Sequence, residues 1–146
     1  MPLPVPEAGL VIGYSYLWHS EFQRGQEEGL KDRPCVVVVA SRRAGDQTIV
    51  TVVPVTHAPP PSVADAAIEL HPATKARLGL DGARSWVVVS EINRFVWPGT
   101  DLRPVSRNEP DRFAYGRLPP ATFNQIAERL VACVKAKRLK SVHRTE

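Results

Sequence analysis

Two β-branched apolar runs dominate the first half of the chain: Val36 to Val39, entered through Asp32-Arg33-Pro34-Cys35, and Val52-Val53 within Thr51-Val52-Val53-Pro54-Val55-Thr56. They are continuous runs rather than alternations, so both faces of these strands are expected to be covered, as in a small barrel. The polar gap between them holds Gly45-Asp46 and predicts a hairpin. Such a hairpin brings Arg33, at the mouth of the first run, toward Thr56, at the end of the second. Val11 to Trp18 alternates small or polar with large residues and reads as a strand before them. Ser20 to Asp32 is dense in Glu, Gln, Arg and Gly without an apolar period, and predicts an exposed loop. Thr56 to Ser62 contains Pro59-Pro60-Pro61, three consecutive residues without an amide donor, and predicts a second loop on the same rim.

Farther along, Ala67 to Leu70 and Ser85 to Ser90 read as strands, Pro72 to Leu78 as a helical turn, Gly79 to Gly82 as a turn, and Arg94 to Trp97 as a continuation of the sheet past a bend. From Pro120 to about Leu139 the apolar residues Phe123, Ile126, Ala127, Leu130, Val131 and Val134 fall three and four apart, the period of an amphipathic helix. Pro120 suits a first helical position, where its missing amide costs nothing. The apolar stripe is available for packing on the sheet, and also for a dimer contact.

The chain has 146 residues, 43% of them hydrophobic, which predicts one domain with one core. The expected division is a poorly ordered proline-rich start over 1–8, a single domain over 9–140, and a basic flexible tail over 141–146. No apolar run approaches the length of a membrane span, and Met1-Pro2-Leu3-Pro4-Val5-Pro6 lacks the pattern of a signal peptide, so a cytoplasmic protein without membrane contact is expected. Cys35 and Cys133 have no metal-ligand spacing and read as buried small hydrophobes. The net charge of +4 favours acidic or polyanionic partners. Much of that excess sits in Lys135, Lys137, Arg138, Lys140, His143 and Arg144, which suits either a solvated helix end or the steering of nucleic acid.

Arg33 and Thr56 carry the candidate chemistry. A guanidinium stays charged at physiological pH, and its planar donors match two phosphate oxygens at once. Beside a hydroxyl at one sheet edge it predicts a phosphate site; the structural alternative is an arginine covering a strand edge and a threonine starting a turn.

Glu28-Gly29, Arg33-Pro34 before the valine run, Val53-Pro54-Val55-Thr56, Val87-Val88-Val89-Ser90-Glu91-Ile92-Asn93-Arg94, and Gly116-Arg117-Leu118-Pro119-Pro120 opening the helix occur in the order found in MazF/PemK-type toxin ribonucleases, which the chain resembles from about Gly9 to Val134. The resemblance implies a mainly β fold with α elements: an SH3-like small barrel of the CcdB/MazF type with a C-terminal amphipathic helix. It also implies a homodimer that cuts single-stranded RNA without metal or cofactor and is silenced by a cognate antitoxin. The implied reaction is attack of a ribose 2′-hydroxyl on the adjacent phosphate. Arg33 and Thr56 match the family's two catalytic positions, and Glu28 matches a glutamate that assists the chemistry or contacts RNA.

Glu91 matches an acidic position near the RNA groove; alternatively it pairs with Arg94 at a strand end. His57, next to Thr56, is a candidate substrate contact, acid or base, because imidazole titrates near neutrality; His19 is a weaker loop candidate. Trp18 and Phe22 are candidate base-stacking residues. Asp32 departs from the family pattern, since a carboxylate beside Arg33 would partly neutralise a phosphate site. The long, proline-interrupted segment Ala58 to Arg84 departs as well. Two other classes remain open: a gyrase-poisoning, CcdB-like toxin without enzymatic activity, and an SH3-like module that binds nucleic acid or protein without turnover.

Overall fold

A computed structural model of the chain describes residues 3–26, 29, 31–43, 45–59 and 61–144, with the backbone alone for 62–64. The predicted hairpin is the centre of the fold. Strand β2 (Asp32–Arg42) pairs antiparallel with β3 (Thr48–Thr56) across a turn in which Gly45 and Asp46 both have left-handed φ, 83° and 63°. Two consecutive residues of that kind give a turn whose twist matches its strands. The register slips by one at Val37/Val39, where the extra residue forms a bulge.

Strand β1 (Leu10–Ser15) lies on the far side of β2, with Tyr14 opposite Arg33, and β7 (Ala114–Arg117) lies beyond β1. The other edge of β3 is shared by two strands in succession. Ile49 to Val52 pair with β6 (Glu91–Val96), and Val55-Thr56 pair with β5 (Trp86–Val88), which in turn pairs with β4 (Ala67–Glu69). Strand β8 (Lys140–His143) runs parallel to β6. The fold is therefore mainly β, as expected, although the eight-stranded sheet does not close.

Both faces of the central strands are buried, which explains the valine runs. Val36, Val53 and Val55 join one apolar cluster with Ile68, Val87 and Ile126; Cys35, Val37 and Val52 join another with Ile12, Tyr14 and Phe95. Helix α2 (Pro72–Leu78) is the expected helical turn, and helix α3 (Pro120–Lys135) covers the first cluster through Ile126 and Cys133, with Phe123 and Leu130 packed against it. Val131 and Val134, from the same predicted stripe, remain 50% and 52% exposed. Both cysteines are buried free thiols, and burial pushes that of Cys35 upward.

Two segments differ from the sequence reading. The loop expected over 20–32 carries helix α1 (His19–Gln23), where buried Glu21 accepts the Trp18 backbone N–H at 3.0 Å. A carboxylate with no apolar period around it thus caps a helix too short to show one. The segment from 141, expected to be a flexible tail, holds most of β8 and then Arg144, which is buried. The Arg144 guanidinium donates to Ser15 O at 2.7 Å and Asn93 Oδ1 at 3.2 Å, pairs with Asp101 at 3.0 Å, and lies 5.6 Å from the Tyr14 ring centre. Asn93 also accepts from Leu17 N and donates to Leu17 O. One buried cation thereby ties the end of the described chain to β1 and β6.

Removing one partner of a buried pair leaves the other charge uncompensated. Arg144→Ala is therefore expected to destabilise the fold by about 3 kcal/mol, whereas the double variant Arg144→Met/Asp101→Leu recovers much of the loss. Urea unfolding of the three proteins measures both effects.

Candidate functional site

The pairs of β2 and β3 nearest the site run Cys35–Pro54, Val36–Val53 and Val37–Val52. The ladder ends at Cys35–Pro54; the same register continued two residues farther leads to Arg33 and Thr56. Both residues, together with Ala58, line two cavities, one of about 830 Å³ and one of about 540 Å³. They form the wall common to both.

Arg33 is half-buried, and its guanidinium carbon lies 5.2 Å from the centre of the Trp18 ring. A cation over an indole face is attracted by the ring quadrupole, so Trp18 orients the guanidinium. Trp18 is braced edge-to-face by Tyr16, with ring centres 5.3 Å apart. The Arg33 Nε is shut off from solvent and has no hydrogen-bond partner among the described residues. An unpaired buried donor is costly, and the surrounding sheet must hold the guanidinium in place against that cost. The Thr56 hydroxyl accepts the Ala58 backbone N–H at 3.3 Å, which leaves its own hydrogen free to donate.

Among the described residues, Asp32 and Arg33 both line the smaller cavity, but no ion pair joins them. Neighbouring residues on a strand face opposite ways, and the Asp32 carboxylate pairs with Arg103 at 3.5 Å.

The larger cavity takes its wall from Trp18, α1, Ser90, Glu91 and the segment 137–140. Glu91 is half-buried and does not pair with Arg94. Its Oε1 accepts the His19 backbone N–H at 2.9 Å and the Tyr16 hydroxyl at 3.1 Å. Burial raises its carboxyl above the ordinary value, and these two donors only partly offset that. The Ser90 hydroxyl lines the same cavity, buried and without a hydrogen-bond partner among the described residues.

His57 belongs to the smaller cavity, where other groups engage its ring. Nδ1 lies 2.9 Å from Arg84 O and 3.2 Å from Ser85 Oγ, and Nε2 lies 3.0 Å from Asp81 Oδ2. Buried Lys75 holds Asp81 from the other side, and its hydrogen bond is the largest influence keeping that carboxyl below its usual range. His57 is thus a braced wall residue.

Of the remaining candidates, His19 lines the larger cavity and Phe22 lines neither, its side chain lying 49% exposed on α1. Glu28 lies outside the described residues. Among those residues no three His, Cys, Asp or Glu side chains converge to hold a metal ion, and no helix is long and apolar enough to cross a membrane. Lys137, Arg138 and Lys140, read in the sequence as a solvated helix end or as steering nucleic acid, line the larger cavity, as does Ser90, which stood inside the 87–94 motif without a role of its own.

A mostly antiparallel β sheet with a C-terminal helix is the arrangement of the MazF/PemK fold. Residues 16–134 match the family described as PemK-like, MazF-like toxins of type II toxin–antitoxin systems, and the chain belongs to that family. The family implies an antitoxin partner. No curated protein matches the chain.

A raised carboxyl gives stability that is full below the unfolded value and is lost as pH rises through the folded one. Glu91 therefore weakens the fold progressively above its ordinary value of 4.5. Glu91→Gln keeps an acceptor for Tyr16 and His19 but does not titrate. Its melting temperature is expected to fall less than that of the unaltered protein between about pH 4 and pH 7; thermal unfolding across that range tests this.

Proposed function

We propose that this chain is the toxin of a type II system and acts as a metal-independent endoribonuclease on single-stranded RNA. The observation that carries the reading is Arg33 facing Thr56 on the wall between two cavities, in a chain of the PemK-like, MazF-like family. A polynucleotide crossing that wall would place one phosphate at the arginine and its neighbouring nucleosides on either side.

In the proposed reaction the ribose 2′-hydroxyl attacks the adjacent phosphorus while the 5′-oxygen of the next nucleotide leaves. The products are a 2′,3′-cyclic phosphate and a 5′-hydroxyl. Arg33 donates to the non-bridging oxygens as their charge grows, at a site made rigid by Trp18. Thr56 donates to one of the same oxygens and holds the phosphate in line. Glu28 assists proton transfer. Glu91 and His57 shape the binding walls, and Trp18 meets the substrate at its exposed edge. The feature that most favours a module without turnover is Asp32 beside Arg33; its carboxylate lines the smaller cavity with the arginine and pairs with Arg103.

The purified protein is expected to cut a long, unstructured, sequence-diverse RNA in EDTA and leave cyclic phosphate ends. Arg33→Ala should slow cleavage by about 10²–10³-fold while changing stability by no more than about 1 kcal/mol. Thr56→Val should follow the same pattern. Cleavage by Arg33→Ala at the unaltered rate would remove the arginine from the chemistry.

The proposal extends to a homodimer, supported by the half-exposed Val131 and Val134 on α3 and by the family's paired arrangement. Light scattering at micromolar concentration without antitoxin is expected to give twice the chain mass; a monomer would contradict it.

A further inference from the structure

We infer that the segment Lys137–Lys140 is a phosphate-binding subsite, which holds the RNA backbone next to the phosphate cleaved at Arg33. The inference rests on the ribonuclease reading above and names residues that lie beyond the 16–134 family match. Lys137, Arg138 and Lys140 line the same cavity as Arg33 and Thr56, so a chain with one phosphate at Arg33 meets this strip with a neighbouring one.

Several features fix the strip as a wall of that cavity. Lys137 has φ of 56°, the left-handed region that favours glycine, immediately after the end of α3. A lysine at that position keeps a cation where a glycine would make the turn more easily. From Lys140 the chain pairs in parallel with β6, Lys140 lying directly beside Glu91, and Val142 and Arg144 are buried just beyond. The three cations are therefore carried by anchored backbone.

Lys140 has the Glu91 carboxylate as a neighbour, whereas the partner of Arg138 is weak. Arg138 meets Asp65 at 3.6 Å with both side chains largely exposed, a contact that an incoming phosphate displaces at little cost. Ser90 lies against the strip, its carbonyl accepting the Lys140 backbone N–H at 3.0 Å, and it lines the same cavity. A polynucleotide suits this arrangement better than an acidic peptide, because the strip shares its cavity with the arginine and threonine that the reaction requires.

The experiment uses the full chain and a fluorescent, sequence-diverse 2′-O-methyl RNA, which binds but cannot be cut. Binding is measured by anisotropy over a range of salt concentrations. Each contact to a single-stranded phosphate contributes about 0.7 to the slope of log affinity against log salt. The triple variant Lys137→Gln/Arg138→Gln/Lys140→Gln is expected to lower that slope by about 2. A control, Arg42→Gln/Arg43→Gln/Arg107→Gln, removes the same charge from exposed residues that line neither cavity and should leave the slope near its original value. Equal slopes for the two triple variants would overturn the subsite. An unaltered RNA slope in the first variant, with weakened binding of polyglutamate, would reassign the strip to an acidic protein and overturn it equally. If the unaltered protein binds the RNA with the stated slope but never cuts its unmodified counterpart, the ribonuclease reading fails while the phosphate strip stands; if it binds no RNA, both fail.

Discussion

The register of one hairpin decides which side chains gather at the edge of the sheet beside Arg33. Near the turn, β2 and β3 pair Val39 with Thr51 and Arg42 with Thr48. That register, continued without interruption, would bring Arg33 against His57 and turn the intervening valines of one strand onto the wrong faces. The bulge between Val37 and Val39 shifts the pairing by one, and Thr56 takes the place opposite the arginine. The same slip leaves Val39 half-exposed in an otherwise buried run. A loss of ladder regularity at one point thus sets the relation between the two side chains on which the proposed chemistry depends.

Around that pair, each neighbouring group already has a partner that keeps it from interfering. Asp32 is drawn off by Arg103, His57 is braced by Asp81 and the Arg84 carbonyl, and Glu91 is tied to Tyr16 and the α1 backbone. Arg33 and Ser90 are the exceptions: the arginine has a ring beneath it and a nitrogen left unpaired, and the serine hydroxyl is likewise unpaired, among the described residues. Folding alone would favour satisfying that nitrogen. Leaving it unsatisfied at a cavity wall is consistent with a site that awaits an anion.

The central strands, the hairpin turn and helix α3 were legible in the sequence because each has many buried side chains in a recognisable period. Strand β8 was not, since Val142 is its one buried residue and its position comes from the β6 edge and from Arg144. Strand β7 offered only Ala114-Tyr115-Gly116-Arg117, too short for an alternation to register. Among site residues, Arg33 and Thr56 could be brought to one sheet edge from the hairpin, but the bulge that decides their register could not be read from the sequence. The Asp32–Arg103 pair and the cavity position of Lys137 join residues far apart in sequence, and local pattern does not encode such contacts.

The open sheet has a further consequence. An unclosed sheet presents strand edges, and exposed edges invite pairing with another chain. Here the terminal strands β4 and β7 have only three and four residues, and β8 has four, of which Lys140, Ser141 and His143 are exposed. Gly116 adds a φ of 143° that an extended ladder does not continue through. Short, charged and irregular borders discourage strand-by-strand polymerisation, so this fold can leave its sheet unclosed without becoming a template for aggregation.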